Sequence, residues 1–276
     1  MAIEDGVRGA SGNRDRAGTE YWNRSERNQQ IVLQRFKPAP GIRGYAKRAW
    51  HAAFLRAFTG LPSQQRKLLE LGCGGSAFLP YFAIELGFQV FGIDYSENGC
   101  DLARSMCAAH GVRADVVCVD FFKAPTDAFA GAFDAVVSFG VVEHFTDTND
   151  TVKKFATFLR PGGILVTIVP NMKWSVGMLQ KHLAPEVYDA HEIIDPSRLR
   201  ASHEAAGLQV LENDYFLFMN YGVINLGNAA TLPRRVLFAA LRAITGAVWA
   251  IETVVGSLRP NAVTSPYVLC VARRLG

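Results

Sequence analysis

The run Lys67-Leu68-Leu69-Glu70-Leu71-Gly72-Cys73-Gly74 sets an apolar strand against a glycine turn with a carboxylate at its mouth. Gly72 and Gly74, on either side of Cys73, tolerate positive φ and let a ligand approach backbone that a β-carbon would block. A helix starting near Ser76 would turn its free N–H groups toward that ligand. Read as G-x-G-x-x-A, the spacing also fits a dinucleotide turn that holds a pyrophosphate. Glu70 opposes that reading, because a carboxylate two residues before the first glycine repels a dianion and suits an ammonium group. The amino-acid end of S-adenosylmethionine presents such a group. A tight turn without a ligand is the bland alternative.

Other acidic and aromatic side chains fall where a nucleoside lying across strand ends needs them. Asp94 follows the apolar run Phe88 to Ile93, 24 residues after Glu70, and can accept both ribose hydroxyls. The run Val116 to Val119 ends in Asp120-Phe121, a carboxylate for an adenine amino group beside a ring that packs on the base. A surface turn would also explain Asp120. Phe133 to Phe139 leads into Gly140-Val141-Val142-Glu143-His144, and Gly163 to Val169 follows the breaker Arg160-Pro161-Gly162-Gly163. His144, just past the fourth run, and His191, at the end of the bulky segment after the fifth, have the acidity of a general base. Shaping a pocket is the competing role for His144, and solvation or capping near Asp195 for His191. Tyr45, His51, Tyr188 and Asp189 are secondary candidates by location. No cluster has metal-ligand spacing, so no metal is expected.

Taken in order, Glu70-Leu71-Gly72-Cys73-Gly74, Gly92-Ile93-Asp94-Tyr95-Ser96, Asp120-Phe121, Glu143-His144 and Leu159-Arg160-Pro161-Gly162-Gly163 resemble the class I S-adenosylmethionine-dependent methyltransferases. The resemblance spans about Gln65 to Leu211, with Ser76 where many members carry a third glycine. It implies an α/β fold: a doubly wound, seven-stranded, mostly parallel sheet of the Rossmann-like methyltransferase type, here with an N-terminal helical extension and a helical insertion before the last strand. It implies S-adenosyl-L-methionine as cofactor, held by Glu70, Gly72, Cys73, Gly74, Asp94, Tyr95, Asp120, Phe121 and Phe139. The implied reaction is in-line methyl transfer to a small-molecule acceptor at oxygen, with His144 or His191 as base. A lipid-linked or glycan acceptor at a membrane surface is the alternative substrate. An NAD(P)-dependent oxidoreductase and a non-catalytic cofactor-binding protein are the alternatives of another class.

The elements that must position these groups follow from pattern breaks along 276 residues, of which 49% are hydrophobic and 20% charged. Such a chain can bury one sizeable core. Residues 1–20, polar and glycine-rich, read as a disordered tail with no apolar leader, and residues 21–60 as a helical cap. The cap comprises a polar helix from Tyr21 to about Phe36 and an apolar-faced one from Gly44 to Phe58, with Tyr45, Ala49, Ala52, Phe54 and Phe58 inward. That second helix covers either the cofactor or the sheet's flank. The main domain then runs over 61–276, with an acceptor-side segment at 170–195 and an insertion at 218–266.

Charge is uneven: residues 1–60 carry a net +6, residues 61–230 a net −7 and residues 231–276 a net +5. Five cysteines without metal spacing read as reduced, buried thiols of a cytoplasmic protein. No basic-aromatic ladder or added domain points to nucleic acid. The stretch Val236 to Leu258 resembles a membrane span, but Arg242 and Glu252 each cost about 2.5 to 3.5 kcal/mol at a bilayer centre. A span would also part the last strand from its sheet. The expectation is a helix folded over the pocket mouth with Leu237, Leu241, Ile244 and Val248 buried; a homodimer contact or a membrane-surface helix through 233–258 is the alternative.

Overall fold

The computed structural model describes residues 13, 15–18, 22, 34–62, 64–123, 129–226 and 231–276. Seven strands form one sheet in the order β3-β2-β1-β4-β5-β7-β6: β1 Lys67–Leu71, β2 Gln89–Asp94, β3 Ala114–Cys118, β4 Phe133–Phe139, β5 Leu159–Pro170, β6 Leu208–Phe216 and β7 Tyr267–Arg274. The first five run parallel, while β7 inserts antiparallel between β5 and β6. β4 is buried along nearly its whole length, as a central parallel strand covered on both faces must be.

Helices cover both faces. On one side α1 Tyr45–Ala57, α2 Phe78–Leu86 and α3 Glu97–Ala109 enclose an aromatic core in which Phe78 stacks on Phe139 at 4.4 Å. On the other side α4 Thr148–Phe158 and α7 Pro196–Ala205 pack on Phe133, Val136 and Leu165. Between them in sequence lie α5 Ser175–Leu183 and α6 Pro185–Asp189, and the insertion carries α8 Leu232–Val255. Caps match the sequence: Ser96, Asp147 and Asp195 each accept a backbone N–H at the start of α3, α4 and α7. Pro196 opens α7 and Gly207, at φ 77°, lies just beyond its end.

Several expectations change. The polar helix from Tyr21 to Phe36 falls largely outside the described residues, and 34–36 are not helical. Residues 13 and 15–18, assigned by sequence to the tail, pack on the molecule because Asn13 finds a complete set of partners. Its amide donates to Asp147 O and Thr151 Oγ1, both at 3.0 Å, and its carbonyl accepts from Asp147 N at 2.7 Å. The inward face of α1 is Trp50, Ala53, Phe54 and Ala57, packed on the sheet's flank, with Ala52 exposed. Cys118 is exposed, unlike the other four cysteines.

The lid expectation fails at α8. Only Leu241, Thr245 and Glu252 of that helix are buried, whereas Leu237 is 38% and Ile244 49% exposed. Leu241 packs with Val176, Leu183, Tyr221 and Ile224, and Trp249 Nε1 donates to Met219 O at 3.0 Å. These contacts hold α8 against the 219–224 segment, and no α8 residue lines the main cleft.

Candidate active site

The sheet reverses direction of winding between β1 and β4, where an open α/β sheet leaves a crevice beyond its C-terminal strand edges. A cleft of about 170 Å³ lies there, walled by residues that follow four parallel strands. Gly72 and Gly74 come from the β1 turn, and Asp94 and Tyr95 from β2. Phe121 follows β3, and Phe139, Gly140, Val141, His144 and Phe145 follow β4.

Gly72 has φ +71°, and a β-carbon there would meet Val141 Cγ2 at 2.4 Å. The position therefore requires glycine twice over, for conformation and for space. The turn is tied to β2, since Gly74 N–H donates to Asp94 Oδ2 at 2.8 Å and Ser96 N–H to Oδ1 at 2.8 Å. Each carboxylate oxygen keeps a second lone pair. Burial raises the Asp94 carboxyl pKa, and the Ser96 and Gly74 N–H groups work against that rise.

Glu70 is not on the cleft wall. It is buried behind the turn, facing Ser76, and its Oε2 has no hydrogen-bond partner. Burial, opposed by Ser76, pushes its carboxyl up to about 8. Cys73 is likewise buried, its Sγ filling the space over Gly92. Asp120 turns inward and accepts from Phe122 N at 2.9 Å, leaving Phe121 on the wall.

At the far end His144 is 4% exposed and its Nδ1 lies 3.0 Å from Ala190 O. A carbonyl only accepts, so Nδ1 carries the proton and Nε2 presents a lone pair. His191 repeats the arrangement with Val187 O at 2.5 Å, and the two rings stand 4.5 Å apart. Burial holds both imidazoles down to about 4, with their proximity adding to the effect at His191. Glu143, 1% exposed, adjoins them, its carboxyl pushed up to about 8 by burial. The donor atoms of Glu143, His144 and His191 lie within 4.8 Å of one another. Linear spacing shows no such group; it arises here from a contact across 47 positions. It forms because Glu192 N–H donates to Glu143 O at 2.6 Å, laying 190–192 beside the β4 end.

Asp15 and Trp22, which the sequence did not single out, also line the cleft. Tyr95 Oη donates to Asp15 Oδ2, Arg16 N–H donates to His144 O at 2.8 Å, and Trp22 meets the His144 ring edge-on at 5.0 Å. No local pattern announces such a segment, because its partners are distant in sequence. Tyr45, His51, Tyr188 and Asp189 are not on the wall; His51 Nδ1 instead lies 2.8 Å from Tyr81 Oη.

Residues 69–167 match a family model described as a methyltransferase domain, and that match covers the glycine turn, the β2 acid and the β4 end. Over those residues the chain is similar to the class I S-adenosylmethionine-dependent methyltransferases. Among curated relatives of this chain are the ubiquinone biosynthesis O-methyltransferase of Sinorhizobium fredii, 29% identical over 168 residues, and that of Chromobacterium violaceum, 31% identical over 156. The matches cover 57% and 53% of this chain and 65% and 66% of the relatives, so the chain spans less than two thirds of their length. Solved structures add the fold: geranyl diphosphate C-methyltransferase from Streptomyces coelicolor superposes with a TM-score of 0.60 at 16% identity, covering 93% of this chain and 98% of that one. Phosphoethanolamine N-methyltransferase 2 from Haemonchus contortus gives 0.60 at 16% identity, covering 94% and 59%. The seven-stranded sheet is therefore the methyltransferase sheet foreseen from the motifs.

Proposed function

We propose that this methyltransferase moves a methyl group from S-adenosylmethionine to a hydroxyl oxygen of a small-molecule acceptor. One observation carries the reading: the cleft joins a glycine turn and a β2 carboxylate to the buried His144 imidazole, whose ring stands beside that of His191 behind the wall. The residues fit the cofactor. Gly72 and Gly74 leave backbone open to its amino-acid end, Asp94 keeps lone pairs for ribose hydroxyls, and Phe121 and Phe139 offer apolar walls. The Glu70 carboxyl, whose Oε2 has no hydrogen-bond partner among the described residues, suits an ammonium group behind the turn. Bound there, S-adenosylmethionine supplies a methyl group already activated by the sulfonium charge. The chain's own residues align the acceptor, exclude water and receive its proton, with His144 and His191 at the acceptor end. Oxygen as the methylated atom draws support from the O-methyltransferase names of the relatives.

Calorimetry tests this reading. S-adenosylhomocysteine, which retains the ammonium, should bind, and NAD should not. An ammonium beside Glu70 favours its ionised form, so binding near pH 7 should release up to one proton, read as a dependence of the heat on buffer ionisation enthalpy. Glu70→Gln should abolish that release, and Asp94→Ala should weaken binding at least 10-fold. NAD binding with no response to S-adenosylhomocysteine would sink the proposal.

A second reading refines the acceptor and is favoured by α8. That helix is long and apolar enough to cross a membrane by length and composition, yet only 17% of its most apolar window is buried. Leu232, Val236, Ile251, Val254 and Val255 face outward near Arg234, Arg235 and Arg242. An apolar face flanked by arginines suits the interface of an anionic bilayer, so a cytoplasmic protein bound peripherally at a membrane would meet a lipid-borne acceptor there. A homodimer contact through the same face is the alternative use.

A further inference from the structure

Glu143 is almost fully buried, and neither carboxyl oxygen has a hydrogen-bond partner among the described residues. A carboxyl removed from water without a donor is costly and is ordinarily paired or bound to a metal. His144 and His191 commit Nδ1 to the carbonyls of Ala190 and Val187, and no hydrogen bond among the described residues uses either Nε2. Backbone-anchored Nδ1–H is the usual way of fixing a ligand imidazole with its Nε2 lone pair forward. One potential donor atom from each of the three residues lies within 4.8 Å of the others.

We propose that Glu143, His144 and His191 bind one first-row divalent cation of the Zn²⁺, Mn²⁺ or Co²⁺ class at the acceptor end of the cleft. Two imidazoles and one carboxylate select such an ion over Mg²⁺ or Ca²⁺, which prefer oxygen donors. Ligand bonds of about 2.0 to 2.2 Å bring donor atoms closer together than they stand here, a contraction within reach of side-chain rotation about the anchored rings. The adjacent positive charge of Arg16 does not oppose the ion strongly, because its guanidinium is held by Glu192 and by Asp189 O.

Such a site deepens the methyltransferase reading, on which its chemical role rests. His144 lies on the cleft wall, so a cation held by it would stand beside the space proposed for the acceptor. Held there, the cation would make a hydroxyl oxygen more acidic, so that its proton would pass to bulk water, with the two imidazoles serving as ligands in place of bases. An oxygen lone pair then forms the bond to the methyl carbon as the sulfur–methyl bond breaks, the bonding pair staying on sulfur in S-adenosylhomocysteine.

The test uses the untagged full chain, stripped with a chelator and dialysed. Zn²⁺ stoichiometry by elemental analysis and Co²⁺ titration followed by visible absorption should give one ion per chain. Glu143→Gln, which keeps side-chain shape, and His191→Ala, at a less buried position, should each weaken Co²⁺ binding at least 10-fold. S-adenosylhomocysteine affinity, measured on the same samples, should stay within about 3-fold and so report intact folding. Absence of a stoichiometric ion in wild type, or full-strength binding in both variants, overturns the site. S-adenosylhomocysteine binding without metal would overturn only the cation, whereas metal binding without S-adenosylhomocysteine would support the cation and sink the methyltransferase reading.

Discussion

Gly72 and Glu70 show how one turn can combine local necessity with tertiary cost. At Gly72 the positive φ and the 2.4 Å approach of Val141 Cγ2 are separate penalties, so Gly72→Ala should lose about 1 to 2 kcal/mol for conformation alone, plus the clash. Gly72→Ala with Val141→Ala should recover the clash and not the conformational part, as measured by urea denaturation. Glu70 carries a pH signature. Its folded pKa of about 8 exceeds the ordinary 4.5, so between those values the folded chain holds a proton the unfolded chain has lost, and its contribution to stability falls as pH rises. His203, whose Nε2 lies 2.9 Å from Thr167 Oγ1, is held down to about 4 by burial. Between about 4 and 6.5 it contributes in the opposite sense, stability rising with pH. The Glu70→Gln variant should therefore gain stability relative to wild type from pH 5 to pH 8, by up to about 1.4 kcal/mol per pH unit. Parallel stability profiles would contradict the assignment.

At the scale of elements, residues 13 and 15–18 fix the His144 end of the cleft. Asn13 joins the start of α4, Asp15 bridges to Phe145 and receives the Tyr95 hydroxyl, and Arg16 ties the His144 backbone to Glu192. Asn13→Ala leaves several buried partners unmatched and should cost about 1 to 3 kcal/mol. Because Asp15 lines the cleft, Asp15→Ala should speed S-adenosylhomocysteine dissociation, read by stopped flow. An unchanged off-rate would confine these residues to a structural role.

For the whole molecule, α8 separates what stabilises the fold from what the surface offers. Leu241→Asp should destabilise, since Leu241 packs among Val176, Leu183, Tyr221 and Ile224, whereas Val236→Asp and Val254→Asp lie on the open face and should leave the melting temperature nearly unchanged. If that face meets a bilayer, wild type should float with anionic vesicles, the two outer variants should not, and salt should weaken the association. Concentration-dependent dimerisation lost in the same variants would assign the face to a second copy. Flotation unaffected by either substitution would place membrane contact elsewhere. A true span is disfavoured by topology, because β7 returns to pair Tyr267 with Phe216 inside the sheet.

The strands, the glycine turn, Asp94 and the order of motifs were legible in sequence because each depends on neighbours a few residues away: alternation of apolar runs, glycine at a turn, an acid at a strand end. Even the caps of α3, α4 and α7 are local. Tertiary structure alone decided which of these groups meet. It put Glu70 behind the turn and Phe121 on the wall, because strand pleating sends each side chain to one face or the other. It brought Asp15 and Trp22 over a cleft built from β-strand ends far along the chain. It turned the apolar side of α8 outward, which helical periodicity cannot fix when apolar residues surround the axis. Most consequentially, the backbone pairing of Glu192 with Glu143 set His191 beside His144, creating a carboxylate–imidazole group that linear spacing concealed.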